Sequence, residues 1–484
     1  MSCRNVGVDL GVTAKHKAYV CDEQGRKIAD FSFQISKENL DTLCSKALSG
    51  ASQETKLRLI CEPTSMAWLP LAIYAENNNH EMIRVKSHKT HDLRKFFSRN
   101  KKNDKLDAKI LATMPTVDEQ TVEEIHLPNA KMFALERFNR QKDRITQDIA
   151  SIKNRLSSLF HWVMPGLLDC FNDSFDNRAI MFYRRFSNPL KAKKSGINRI
   201  RKVLDKACRQ SMKPNLPEEL YSVVCNACEL YSKSSEHVDF DEIQCEVQIE
   251  LQLLEMLKKT LSEVEERVES LYKDVHPEKH IETIKGIGKN LGASIVGIIG
   301  DPNRFSSQDN LRSFAGLIPK QNDSGESNKK GLHLTQEGPS RFRRDLFLAA
   351  DTARQWDPQL SKIYYEDMVL KGHHHFHAVC AVMSHLINRI LCVMKEKRPY
   401  ELRDTDGKPV TAKQAKQIIK EHFVVPEEIR ERTRSKRSCR NKKEEYTRNL
   451  FKRQSNIHWT PQNSYNIPPS TIIQNFEKFA KVFS

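Results

Sequence analysis

The sequence predicts an α/β N-terminal domain followed by a mostly helical remainder, on three observations. Short apolar runs alternate with charged turns over residues 5–85. Two long stretches then carry apolar residues at helical spacing, and beyond residue 278 helical segments are punctuated by glycine and proline. At 484 residues the chain is long enough for two or three domains.

Residues 5–10, 16–22 and 28–34 read as a meander of three strands. A helix over 37–48, a strand over 57–61, a helix over 65–76 and a strand over 82–85 follow. The order βββαβαβα suggests an RNase H-like layer.

From Lys131 to about Phe171, Leu135, Ile145, Ile149, Ile152, Leu156 and Leu159 recur at helical spacing, and Asp241–Tyr272 does the same with Ile243, Val247, Leu251, Leu254, Leu257, Leu261 and Val264. The two are expected to pair as an antiparallel coiled-coil stalk. Between them, about 172–238, proline and glycine breakers predict a basic insertion of short helices. The boundaries this sets are 1–128, 129–277, 278–402 and a basic C-terminal tail over 403–484, read as extended or partly disordered.

Lysine and arginine number 79 against 62 acidic residues, a net charge of +17. That excess favours a polyanionic partner, nucleic acid first, although basic enzymes without one are common. No apolar run approaches the eighteen or so residues of a membrane span, and the N-terminus lacks a signal-peptide organisation. A cytoplasmic protein without a membrane partner is expected. Twelve scattered cysteines suit reduced packing thiols. Cys225 and Cys228 are spaced as half a zinc site, but no second pair follows and helix packing is preferred.

Asp9 ends the first strand within Val-Gly-Val-Asp-Leu-Gly, and Glu62 ends the later one in Leu-Ile-Cys-Glu-Pro. Asp104 and Asp107 lie three residues apart at a helix start, on one face. Taken singly, each reads more readily as a turn or N-cap residue. Together they supply the oxygen-only ligand set that two hard divalent cations about 4 Å apart require at a phosphodiester, and Mg2+ is the natural ion. Lys86, Arg94, Lys95, Lys101, Lys102 and Lys105 form a basic ribbon around Phe96 and Phe97, placed for phosphate contact beside them.

These motifs resemble the RuvC-like Asp-Glu-Asp-Asp domain of insertion-sequence transposases related to the Piv DNA invertases, with Asp9, Glu62, Asp104 and Asp107 on the motif. Further on, Gly286-Ile-Gly288 opens a helix as in a helix-hairpin-helix, where backbone N–H groups with Lys285 and Lys289 can hold a phosphate; an ordinary Gly-rich connection fits equally well. Residues 311–350, with Gly-Leu-Ile-Pro and Gly338-Pro-Ser-Arg, resemble the C-terminal domain of the same transposases, and the similarity runs on to Tyr400.

The resemblance implies that a serine before a glycine downstream of Gly-Leu-x-Pro is the nucleophile, here Ser324, with Ser327 as the fallback. Apart from the resemblance, Ser324 reads as a turn residue. Arg341, Arg343 and Arg344 could clamp the scissile phosphate, or be solvated helix charges. His373, His374, His375 and His377 point in different directions on a helix and are left out of the metal site.

The expected function is therefore cleavage and rejoining of DNA strands of a mobile element through a serine–DNA intermediate aided by Mg2+. The resemblance further implies donor and target DNA, a structured noncoding guide RNA of the bridge-RNA type, and a homodimer or homotetramer. Two rivals stay open: a RuvC-like metal-dependent junction nuclease, and an inactive transposase-derived nucleic-acid binder.

Overall fold

The computed structural model describes residues 3–11, 14–62, 66–85, 90, 93, 104–117, 123–207, 213–232, 237–320, 323–324, 327–328 and 334–431. The chain divides into two compact units, Met1–Pro128 and Asn129–Ser484.

The first unit is built on a six-stranded sheet. Strands β1 (Cys3–Asp9), β2 (His16–Cys21) and β3 (Lys27–Phe33) form the expected antiparallel meander. β4 (Lys56–Cys61) and β5 (Glu81–Arg84) add in parallel beyond β1, giving the order β3-β2-β1-β4-β5-β6. The last strand, β6 (Glu123–Glu124), pairs antiparallel with β5 and was not anticipated. Each parallel crossover carries a helix. α1 (Lys37–Leu48) starts where the Ser36 hydroxyl accepts the Asn39 N–H at 3.2 Å, and it buries Leu40, Leu43, Cys44 and Ala47. α2 (Trp68–Asn77) buries Leu71, Ala72 and Ala75, and both helices feed one core with Val6, Val8, Leu57 and Leu59. α3 (Asp104–Val117) packs against β1 and β2.

Two long helices, α4 (Ala130–Val163) and α9 (Phe240–Val275), pack side by side in the second unit. Their ion pairs Lys131–Asp274, Lys142–Glu265 and Arg155–Glu250 run in opposite sequence directions, so the helices are antiparallel. The first ends eight residues short of the expected Phe171, because Pro165 cannot continue a helix and Gly166 turns with φ +87°. The intervening segment folds onto them: α5 (Asn177–Phe186), α6 (Pro189–Ser195), α7 (Ile197–Ala207) and α8 (Leu216–Leu230) bury Phe182, Tyr183, Phe186, Leu204, Leu220 and Val224 against Leu156, Phe160, Val247 and Leu251. Cys228 belongs to this packing, its thiol donating to the Pro189 carbonyl at 3.3 Å.

The other end of the long pair carries a helical globule of α10 (Lys289–Ile299), α11 (Gln308–Ala315), the hairpin β7 (Asp323–Ser324) and β8 (Ser327–Asn328), α12 (Ser340–Ala353), α13 (Pro358–Tyr365) and α14 (His375–Glu396). α14 is long and apolar enough to cross a membrane, but it is the core helix here, burying Val379, Val382, Leu386, Ile387 and Ile390 against α11, α12 and α13. Past residue 403 the chain is not simply extended. α15 (Ala412–His422) starts at a Thr411–Gln414 capping box and packs on α13, burying Ala415. The remainder of the basic tail lies outside the described residues.

Candidate active site

β1 and β4 run parallel with Val8 opposite Cys61, so the next rung pairs Asp9, the last residue of β1, with Glu62, the first beyond β4. Adjacent strands lie about 4.8 Å apart, and both carboxylates emerge half-buried at the same sheet end.

The direction of α3 follows from its contacts. A Cβ on Gly7 would stand 2.1 Å from the Ala108 carbonyl oxygen and 2.3 Å from the Ala112 nitrogen, so the helix lies directly on β1. The Cys21 thiol donates to the Ala112 carbonyl at 3.5 Å, and Cys21 sits opposite Asn5, at the far end of β1 from Asp9. The helix therefore runs antiparallel to β1 and delivers its first turn, with exposed Asp104 and buried Asp107, toward the end where Asp9 and Glu62 emerge.

All four donors are carboxylate oxygens, the chemistry of a hard divalent cation site. No three of these oxygens lie within 4.8 Å of one another. A two-ion arrangement spreads its ligands over about 4 Å between ions, so it does not require that closeness. By donor chemistry and position the set fits divalent cations.

His16 gave no sequence signal beyond strand propensity. It accepts the Gly11 N–H on Nδ1 at 3.1 Å, pinning the turn after Asp9, and burial lowers its pKa. Lys105 forms an ion pair with Asp30 at 2.5 Å. Lys86, Arg94, Lys95, Lys101 and Lys102 lie outside the described residues.

In the second unit, Gly286 adopts φ +99° and a Cβ there would meet the Ala349 carbonyl oxygen at 2.4 Å, so its first service is to seat the turn on α12. Gly288 caps α10 with open space beside it, Lys285 is exposed, and Lys289 pairs with Glu269. The three arginines of α12 are engaged within the unit. Arg341 pairs with Glu136 and, at 3.6 Å, with Asp143. Arg343 donates to the Gly338 carbonyl at 2.7 Å, and burial lowers its pKa. Arg344 bridges Asp143 at 3.1 Å and buried Asp345 at 2.8 Å, while Asp345 also accepts the Ser294 hydroxyl at 2.5 Å. Arg341 and Arg344 neutralise acids on α4 and α12, a use that a sequence cannot separate from phosphate binding.

Ser324 lies in the hairpin between α11 and α12, its backbone paired with that of Ser327 across the turn. Below it, Pro319 bridges Leu334, Thr335 donates to the Ile318 carbonyl at 2.8 Å, and Gln336 donates to the Gly316 carbonyl at 3.2 Å. Gly316 (φ +69°) and Gly338 close that base, since a Cβ on Gly338 would stand 2.0 Å from the Phe314 carbonyl oxygen. The Gly-Leu-Ile-Pro segment and Gly338 thus clamp the root of the loop that holds Ser324.

The histidine run also resolves. His373 and His377 both turn to Asp367, whereas His374 caps α14 and His375 meets the Tyr364 hydroxyl.

Two family models match the chain: the DEDD-type transposase of IS110 over residues 6–165 and the transposase IS116/IS110/IS902 family over residues 278–366. An uncharacterized 43.6 kDa protein of insertion element IS110 from Streptomyces coelicolor is 22% identical over 412 residues, covering 84% of this chain and 98% of that protein. Its counterpart from insertion element IS116 of Streptomyces clavuligerus is 21% identical over 422 residues, covering 84% and 97%. The pilin gene-inverting protein of Moraxella lacunata is 29% identical over 123 residues, covering 25% of this chain and 38% of that protein. The two family matches, carried in one chain, define an enzyme that acts on DNA. The chain belongs to the IS110/IS116/IS902 family of transposases.

Proposed function

We propose that the protein cuts and rejoins DNA strands of a mobile element through a covalent serine–DNA intermediate. The observation that carries this reading is the convergence of Asp9, Glu62 and the first turn of α3 on one end of the sheet, where β1 and β4 run parallel. The order β3-β2-β1-β4-β5, with its three-strand meander, supports an RNase H-like, RuvC-like layer beneath that end.

Asp9, Glu62, Asp104 and Asp107 would hold Mg2+, which supplies Lewis-acid stabilisation of the oxygens at the reacting phosphorus. The Ser324 hydroxyl is the nucleophile. Its Oγ forms a bond to phosphorus as the bond to the departing deoxyribose oxygen breaks; the serine gives up its proton and the departing oxygen takes one up. One phosphodiester replaces another, so rejoining needs no outside energy source. Ser327, its neighbour across the hairpin, is the alternative nucleophile.

Donor and target DNA are gripped by the basic ribbon around Lys86, Arg94, Lys95, Lys101, Lys102 and Lys105, and by Lys285 and Lys289 beside the Gly288 cap, with half-exposed Arg344 contributing at its edge. The resemblance and the +17 net charge support a structured noncoding guide RNA. The antiparallel α4–α9 pair supports a coiled-coil stalk through which a homodimer or homotetramer brings serine and carboxylates together. Similarity to a pilin gene-inverting protein supports site-specific rearrangement as the reaction type.

The test is trapping of protein on a nicked DNA substrate followed by denaturing electrophoresis. The wild type and Ser327→Ala form a covalent adduct, Ser324→Ala forms none, and Asp107→Asn neither cuts nor forms one. Strand cutting that persists in Ser324→Ala without an adduct would make the protein a metal-dependent nuclease instead.

A further inference from the structure

After α13 the chain makes a five-residue π turn, Glu366–Leu370, before α14 begins at His375. Such widened turns are uncommon and concentrate at functional sites. Asp367 sits inside this one with its carboxylate side chain only 3% exposed. Two imidazoles close on it from above. His373 Nδ1 stands 3.1 Å from one carboxylate oxygen and His377 Nδ1 stands 2.7 Å from the other, with the ring centroids 3.9 Å apart.

Their placement explains why only these two histidines meet. His373 precedes the cap of α14, where its N–H donates to the Asp367 carbonyl at 3.1 Å, and His377 lies in the first turn of the helix, whereas His374 is consumed as the N-cap and His375 faces Tyr364 at 2.9 Å. The three donor atoms of Asp367, His373 and His377 lie within 4.8 Å of one another, and among the described residues no other group of three His, Cys, Asp or Glu side chains gathers this closely.

Two imidazole nitrogens and one carboxylate oxygen make up an open zinc-type ligand set, with water at the remaining position. Bonds of about 2.0–2.2 Å hold tetrahedral ligands about 3.3 Å apart. The imidazole nitrogens stand 3.1 and 2.7 Å from the two carboxylate oxygens, inside that spacing, and the half-exposed imidazoles have room to open around an ion. Lys371, whose ammonium is 3.5 Å from Asp367, is 61% exposed and free to swing into solvent as an ion enters. Nitrogen donors separate this cluster chemically from the oxygen-only set of the first unit.

We propose that Asp367, His373 and His377 form a binding site for a divalent transition metal ion of the zinc class, stapling the end of α13 to the start of the core helix α14. Bound there, the ion replaces the imidazole protons that otherwise satisfy the buried carboxylate.

The experiment uses the full chain without a polyhistidine tag, titrated with Zn2+ against a chromophoric chelator, and separately loaded with Co2+ for visible absorption. One equivalent of Zn2+ binds the wild type, Asp107→Asn and His374→Asn alike, the asparagine preserving the cap. The double variant His373→Gln/His377→Gln binds at least about 100-fold more weakly. Wild-type protein loaded with Co2+ shows the intense absorption of a four- or five-coordinate site, and this needs no substitution should the double variant fold poorly. Unchanged Zn2+ affinity in a folded double variant, or only the faint six-coordinate Co2+ spectrum in the wild type, overturns the proposal. Loss of binding in Asp107→Asn would assign the ion to the carboxylate set and likewise overturn it.

Discussion

Gly7 of β1 and Ala108 of α3 touch backbone to backbone: a methyl group on Gly7 would lie 2.1 Å from the Ala108 carbonyl oxygen. The contact is intimate because it seats the helix whose first turn holds Asp104 and Asp107.

Gly7→Ala is expected to destabilise the N-terminal unit by about 2 kcal/mol, the scale of an overpacked core site, or by more because backbone cannot move aside as a side chain can. Lifting α3 also moves Asp104 and Asp107 off the sheet end, so DNA cleavage falls more than stability does. Urea unfolding followed by far-UV circular dichroism, read beside cleavage rates, checks this. A wild-type unfolding midpoint in Gly7→Ala would show that α3 does not press on β1.

Arg341 and Glu136 make a second test. Their side chains are 12% and 18% exposed, so removing either strands a largely desolvated charge. Arg341→Ala should cost about 2 kcal/mol, and a double-mutant cycle with Glu136→Ala should return a coupling energy above about 1 kcal/mol. Arg341→Lys restores the charge but not the planar fork, so rescue is partial. Zero coupling together with a pure loss of DNA affinity would return Arg341 to phosphate binding.

Burial raises the thiol of Cys21 from its ordinary 9.0 to about 11, with Asp22 adding to the effect. At pH 8 about one such thiol in a thousand is ionised, so alkylation should bypass Cys21 and take exposed Cys245. Because folding favours the protonated form, the unfolded chain ionises first. The contribution of Cys21 to stability is complete below about pH 9 and is lost as pH rises toward about 11. Timed iodoacetamide labelling with peptide mass spectrometry reads the first effect, and alkaline unfolding of Cys21→Ala against wild type reads the second. Equal labelling of Cys21 and Cys245 at pH 8 would contradict the packing described.

The first sheet was legible because its strands are short, apolar and divided by charged turns, so the ends carrying Asp9 and Glu62 could be placed from pattern alone. β6 was not, since Glu123 and Glu124, which pair with Arg84 and Ile83, carry no periodicity. The stop at Pro165-Gly166 was written in the chain but outweighed by an apolar rhythm that runs past it. The short helices expected over about 172–238 are there as α5 to α8; their packing onto the long pair was not legible, because their apolar residues meet partners distant in sequence. His373 and His377 read as members of an undifferentiated run, because only the π turn brings Asp367 beneath them. For the α12 arginines, charge was visible and the acids on α4 that answer it were not.

The transposase family match in the second unit ends at residue 366, yet the helix at the centre of that core, α14, begins at His375. Other walls of the same core come from Leu135 and Ile145 of α4 and from Val264, Val268 and Leu271 of α9. The matched segment is thus not a self-sufficient folding module. A gene fragment trimmed to residues 278–366 would leave its apolar interior facing water, and the recombinase domain must be inherited with both long helices and α14 or not at all.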